Sequence, residues 1–506
     1  MLNRLTSLPL IVVLMGICAL AMYPPAAYAI IAREWASARA FFYSGTIFLA
    51  LTAMIAIATQ GYTPKRQARS YLLALLAAFT ALPLMLAVPL WESIGNTSFL
   101  NAYFEMVSSL TTTGATVFDD PLRLSGADHL WRALVGWLGG FLIWVTAVAI
   151  LAPLNLGGYE VLGPARNTAE VRGLSQITRV ADVSVRLQRY TARLVPIYVG
   201  LTVLLWLGLL VLGDRPLVAV CHAMSVLASS GISPIGGTAQ AASGVPGEML
   251  ILAFFAFALT RATFANDTAD HGRARLLRDP EMQTALVVVL AIASLLFLRH
   301  WVGALEVDTA DSAPRALSAL WGGIFTVLSF LTTTGFEGST WQEARNWSGL
   351  SSPGLILLGL AMIGGGVATT AGGVKLLRVY VLYMHGRREL ERLVHPNSVG
   401  GSGQRARRLR REGAYVAWIF FMLFAISIAA VMLALSLSGL DFEQSVVLSI
   451  AALSTTGPLA GMAGESALSY ASLSETVKLI LAASMVLGRL ETLAIIALLN
   501  PEFWRS

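Results

Sequence analysis

Apolar runs close to 20 residues long recur from end to end of the chain, and each is long enough to cross a bilayer as a helix. Spans are expected at 9–31, 40–60, 70–91, 130–152, 193–213, 248–265, 283–301, 353–384, 414–437 and 476–499. Between some of them lie shorter apolar segments that end in clusters of small polar residues, as in "SSLTTTGATVFDD" at 108–120. Three threonines and a glycine make poor lipid-facing helix, so these clusters need a separate explanation.

Composition agrees with the pattern. Of 506 residues 56% are hydrophobic and 13% charged, against about 25% charged in soluble domains. The chain therefore reads as a polytopic α-helical membrane protein. Its net charge of +6 reads by location, as a topology signal, and not as a nucleic-acid signal. Cys18 and Cys221 have no Cys or His neighbour at metal-ligand spacing, and the six histidines include no His-x-x-x-His pair. A disulfide framework and a Cys-rich metal site are excluded. The N-terminus has a basic start, an apolar centre and an Ala27-Tyr28-Ala29 ending, as a secretory signal has. The apolar run continues through Ile30 and Ile31, so an uncleaved first helix is expected.

The loops sort by charge. Loop 61–69 holds Lys65, Arg66 and Arg69, and loop 153–192 holds Arg166, Arg172, Arg179, Arg186 and Arg189. Loop 271–282 holds Arg273, Arg275 and Arg278, and loop 385–413 is the most basic. The alternate loops carry Asp119, Asp120 and Asp128, then Glu306, Asp308, Asp311, Glu337 and Glu343, then Asp441, Glu443 and Glu465. The positive-inside rule places the basic loops and both termini in the cytoplasm. The linker "SVGGSGQRARRLRREG" (398–413) is either a solvated topology anchor or a docking surface for membrane lipid or a cytosolic partner.

The small-residue cluster occurs four times: "VSSLTTTG" (107–114), "MSVLASSG" (224–231), "LSFLTTTG" (328–335) and "IAALSTTG" (450–457). All fall on the expected outer side, at intervals a little over a hundred residues, too long for a solenoid. The arrangement fits four copies of span, short outer helix, small-residue loop and span. The outer segments, about ten residues long, read as re-entrant. Irregular backbone at membrane depth must be satisfied by protein or water, so the four loops are expected to meet on one axis. A dehydrated monovalent cation can recover its hydration from a ring of backbone carbonyls, and glycine lets a carbonyl turn inward without a Cβ penalty. The candidate ion-binding residues are Thr112, Thr113 and Gly114; Ser229, Ser230 and Gly231; Thr333, Thr334 and Gly335; and Thr455, Thr456 and Gly457.

"TTTGAT" (111–116), "TTTGF" (332–336), "STTGP" (454–458), "GGGVATTAGGVKLLR" (364–378) and "GRLETLAIIALLNPEFWR" (488–505) resemble the Trk/Ktr/HKT superfamily of potassium transporters, most closely the bacterial Trk membrane subunit. The resemblance covers nearly the whole chain. It implies an all-α fold of four pseudo-symmetric span–pore helix–filter loop–span repeats around one pore, plus two N-terminal helices. The corresponding segments are 1–62, 63–157, 158–272, 273–398 and 399–506. It further implies K+ as the bound and transported ion, with Rb+ as a congener and no covalent cofactor. A bacterial inner-membrane location, a homodimer and a cytosolic nucleotide-binding regulatory subunit complete the expectation. The second loop, "ASSGISPIGG", departs from the family's Thr-rich form.

Two features stand inside spans. Gly364, Gly365, Gly366, Gly372 and Gly373, with Thr369, Thr370 and Lys375, interrupt a long apolar run. Each glycine costs a helix interior about 0.8–1 kcal/mol relative to Ala, and together they cover every face. A broken helix with its loop across the pore is expected, and the resemblance implies that this loop is a gate. Lys375 is expected to reach a carboxylate or the cytosolic mouth. Arg489 stands near the middle of the last span, a placement that costs roughly 2.5–3.5 kcal/mol. It is expected to face a wet cavity and repel excess cations, with Glu105 a candidate counter-ion and Glu491 on another face. A sodium-permeable or weakly selective transporter is the alternative reading, and proton or sodium coupling stays open. No nucleophile elbow, phosphate loop or metal-spacing motif points to an enzyme.

Overall fold

The computed structural model describes residues 8–60, 67–151, 183–260, 279–302, 313–350, 353–395, 411–464 and 467–490. Residues 398–410 of the basic linker, Glu491 and the end of the last expected span lie outside them. Every regular element among the described residues is helical.

The N-terminal apolar run forms two helices, Leu10–Leu20 and Tyr23–Ile31, with a turn at Ala21–Met22. The turn falls just before Pro24 and Pro25, which have no amide hydrogen to continue the helical ladder. This run packs on the helix Trp35–Ala58, and Glu34 between them caps a distant element. Its carboxylate accepts hydrogen bonds from the Gly126 and Ala127 amides at 3.1 and 3.2 Å. A carboxylate on the positive end of a helix is stabilising, so this contact ties the N-terminal pair to the first repeat.

The four repeats share one plan. The first runs through Gln67–Thr80 and Leu82–Ile94, the short helix Phe99–Leu110, and Gly126–Thr146. The second is Val183–Val211, Pro216–Ala228 and Gly244–Leu259. The third is Pro280–Val302, Ala313–Leu331, then Gly354–Ile363 and, after a break, Leu376–Val394. The fourth is Arg411–Leu437, Phe442–Leu453 and Glu475–Leu490. Local chemistry sets several of these starts. Ser98 caps the first short helix by accepting from the Asn101 amide, Ser125 and Asp128 form a reciprocal capping box, and Pro216 occupies the first turn of the second short helix.

The third re-entrant helix departs from the ten residues expected. It has 19 residues, about 28 Å, long and apolar enough to cross a membrane by itself. It nevertheless ends in the third small-residue loop, and its last turns are buried on all sides. The added helix Trp341–Ser348 supports it, with Gly322 lying under the Thr340 backbone and Trp347 donating to the Phe297 carbonyl at 3.1 Å. The repeats pack through aromatic seams, such as Trp137 stacked on Tyr198 with ring centroids 4.9 Å apart.

Candidate ion pathway

Each re-entrant helix ends in the same backbone motif. Thr113, Ser230, Thr334 and Thr456 donate their amides five residues back, to Ser108, Ser225, Ser329 and Ala451, at 2.8, 2.9, 3.0 and 2.8 Å. The residue before each is left-handed: Thr112, Ser229, Thr333 and Thr455 have φ of 54, 52, 57 and 54°. This is a Schellman ending, whose left-handed position is usually glycine. A side chain there costs about 1–2 kcal/mol, and the chain accepts that strain four times in register.

The next residues close a ring. A Cβ built on Gly114 would lie 2.0 Å from the Ser230 carbonyl oxygen, and one on Gly231 would lie 2.3 Å from that of Thr334. One on Gly335 would meet the Pro458 ring at 3.0 Å, and one on Gly457 the Ala115 amide at 2.2 Å. Loop one abuts two, two abuts three, three abuts four, and four returns to one. Gly114, Gly231 and Gly335 have positive φ, but Gly457 opens a short 3-10 turn instead and carries Pro458 beside the second and third loops. The left-handed backbone that favours glycine is thus found at three of the four positions; at Gly457 it is the Ala115 backbone that excludes a side chain.

Three of the four loops are clasped from one helix position, five residues before the shared leucine. Glu105 accepts from the Thr116 hydroxyl and the Val117 amide at 2.6 and 2.7 Å. His222 bonds the Ser233 hydroxyl at 2.8 Å, and the Thr326 hydroxyl accepts from the Gly338 amide at 3.2 Å. The fourth repeat has Leu448 there, and its loop is held instead by the Tyr470 hydroxyl on the Gly457 carbonyl and by the Gly457 amide on the Thr113 carbonyl. The clasps become visible in the sequence once the four copies are aligned on their leucines. Glu105 is not the counter-ion of Arg489: its other oxygen pairs with Arg132 at 2.9 Å, fully buried. Removing one partner of such a pair costs about 3–5 kcal/mol.

Beneath the ring lies the break in the third repeat. Its ends are drawn together, Val374 and Lys375 donating amides to the Met362 and Ile363 carbonyls at 2.9 Å each. One side of the loop is fastened to the second and third repeats. Gly366 donates to the Ala258 carbonyl at 2.9 Å, Thr369 to the same oxygen at 3.1 Å, and Val367 to the Glu281 carboxylate at 2.8 Å. The sequence offers no pattern that singles out Glu281. The other side reaches the small-residue loops. The Thr370 hydroxyl donates to the Leu227 carbonyl at 3.1 Å and lies 2.6 Å from the Ser229 hydroxyl. The Gly372 amide donates to the Thr333 hydroxyl at 2.7 Å, and a Cβ on Gly372 would lie 2.2 Å from the Ser454 carbonyl.

Arg489 is buried and donates to the Thr370 carbonyl at 2.7 Å. Lys375 is buried, and its ammonium turns back onto the Ala371 carbonyl. Both cations line a cavity with Ile143, Ala147, Gly372 and Gly488.

A four-repeat helical bundle closed around a ring of re-entrant loops defines a membrane transport protein. The family model described as the TrkH cation transport protein matches residues 37–238 and 276–505. The Trk system potassium uptake protein TrkH of Salmonella typhimurium is 31% identical, with 96% of each chain covered, and that of Escherichia coli K12 is 30% identical over the same shares. The crystal structure of the potassium transporter TrkH from Vibrio parahaemolyticus superposes with a TM-score of 0.80 at 27% identity, covering both chains fully. This chain belongs to the TrkH family of cation transport proteins, which are transporters and not enzymes.

Proposed function

We propose that the protein takes up potassium across the bacterial inner membrane through a selectivity filter made by the four small-residue loops, with the 364–375 loop as its gate. The observation that carries this reading is the closed ring of loops, each abutting the next within a few ångströms. Backbone carbonyls in such a ring replace the hydration of a monovalent cation. The names of the relatives, potassium uptake proteins, favour K+ as that cation. Liposomes containing the purified protein are expected to pass potassium and rubidium faster than sodium and lithium. Equal rates for all four ions would sink the selectivity reading and favour the weakly selective alternative.

Lys375 and Arg489 add positive charge beneath the ring, which holds cation occupancy low on that side. The basic loops face the cytoplasm with both termini, and the chain works as a homodimer under the control of a cytosolic nucleotide-binding subunit of the Trk type. A gated potassium pathway needs such control, because an unregulated one discharges the membrane potential. Deleting 400–410, the most basic stretch, is expected to weaken co-purification with that subunit while leaving membrane insertion intact. Undiminished co-purification would remove this loop as a main contact.

A further inference from the structure

The fourth quarter of the ring is fastened differently from the other three. Two residues before the shared leucine, the first three re-entrant helices carry a serine whose hydroxyl engages its own loop. Ser108 donates to the Ala115 carbonyl at 2.7 Å, Ser225 accepts from the Ser230 hydroxyl at 3.1 Å, and Ser329 accepts from the Phe336 amide at 2.6 Å. The fourth helix has Ala451 at this position and Leu448 at the position of the Glu105, His222 and Thr326 clasps. Neither can hold a loop by a hydrogen bond. The residue after the glycine is Ala115, Ile232 and Phe336 in the first three loops but Pro458 in the fourth. Proline has no amide hydrogen, so the peptide between Gly457 and Pro458 offers only its carbonyl oxygen as a handle. The Tyr470 hydroxyl takes that oxygen at 3.0 Å. Tyr470 is buried, with its ring 5.8 Å from that of Phe104, among apolar residues of the first and fourth repeats. Its segment is tied at both sides: the Leu468 amide donates to the Ala460 carbonyl at 3.0 Å, and the Ser469 hydroxyl donates to Asp119 at 2.6 Å.

We propose that Tyr470 is a positioning residue for ion discrimination, fixing the seam between the fourth and first quarters of the ring. The proposal rests on the potassium selectivity argued above. The Gly457 amide donates to the Thr113 carbonyl at 2.6 Å, and among the described residues this is the one backbone hydrogen bond between two of the small-residue loops. Gly457 therefore stands between two contacts, its amide on the first loop and its carbonyl on Tyr470. A glycine between them has no side chain to restrain its backbone, and no helix-side bond restrains it either. When the carbonyl is held, the amide is aimed at Thr113 and Pro458 is set against the second and third loops. When it is released, the peptide turns and both contacts shift. Carbonyl spacing around a filter governs which monovalent cation it replaces water for, so a hydroxyl outside the ring acts on preference without touching the ion.

Tyr470→Phe removes the hydroxyl and keeps the ring that packs on Phe104. Potassium and sodium fluxes are measured in liposomes holding the full chain. The variant is expected to lose about fivefold in potassium-over-sodium preference, the scale of one net hydrogen bond. Ser469→Ala, at an exposed position, loosens the segment that carries Tyr470 and is expected to lose about twofold. A transport-independent readout is the thermal midpoint of detergent-purified protein in potassium against sodium, since the better-bound ion stabilises the folded state more. That difference is expected to shrink in Tyr470→Phe. A Tyr470→Phe protein that melts lower but discriminates like wild type would make Tyr470 a packing residue and overturn the proposal. Should Tyr470→Phe give no folded protein, wild-type preference in Ser469→Ala would overturn it equally. Wild-type protein that passes potassium and sodium at equal rates would instead overturn the selectivity reading on which the proposal rests.

Discussion

Removing Val367–Ala371 is expected to raise basal potassium flux about tenfold, within the roughly 5–150-fold that typical coupling energies between two states allow. The deletion takes out most of what fastens the proposed gate. It removes the Val367 bond to Glu281, the Thr369 bond to Ala258, both Thr370 contacts to the second small-residue loop, and the Thr370 carbonyl that receives Arg489. The remaining glycines can close the gap, because Met362 and Val374 are already joined by a backbone hydrogen bond of 2.9 Å. The neighbouring helices therefore have no reason to unpack. Arg489→Ala acts in the same direction through two effects: it frees the Thr370 carbonyl and removes a buried positive charge from the cavity wall. Its gain should be larger at low potassium, where electrostatic repulsion limits entry most. Flux from liposomes without any cytosolic partner is the measurement. Unchanged or reduced flux in a deletion variant that still folds would make the glycine run a packing device and not a gate.

Gly335→Ser is expected to reduce the potassium-over-sodium preference about tenfold, the equivalent of ~1.4 kcal/mol, in protein that still inserts and assembles. Gly335 has φ of 77°, where a side chain costs about 1–2 kcal/mol. Its new Cβ would press on the Pro458 ring at 3.0–3.2 Å, close enough to shift that ring by a few tenths of an ångström. Pro458 also touches the second loop at Gly231, so the shift changes the spacing of three quarters together. A filter that discriminates by the number and geometry of its carbonyls loses preference when that spacing loosens. Gly114→Ser has the same aim but a harsher effect. Its Cβ would stand 2.0 Å from the Ser230 carbonyl oxygen, so backbone and not a ring must move. It should lose folded protein as well as preference. Retention of the wild-type ion preference by Gly335→Ser in liposomes would leave these glycines as packing residues only.

The sequence alone determined the helical membrane architecture, the four copies of the small-residue loop and the interruption at 364–373. These are local properties: hydrophobic run length, small-residue composition and glycine content act on the segment that contains them. It did not distinguish the third re-entrant helix by length, because a largely apolar helix of 19 residues satisfies the same criterion whether it crosses lipid or dives into protein. What surrounds it decides, and that is a tertiary fact. The pairing of Glu105 with Arg132, the return of Lys375 onto Ala371 and the seating of Arg489 on Thr370 were likewise settled by packing. Arg489 and Thr370 lie 119 positions apart in the chain, and a buried cation takes whichever oxygen the neighbouring helices bring within 3 Å. The left-handed conformation at Thr112, Ser229, Thr333 and Thr455 is a further case. Nothing in a Thr or Ser favours it locally; the closed ring imposes it, because each helix must end where the next quarter begins.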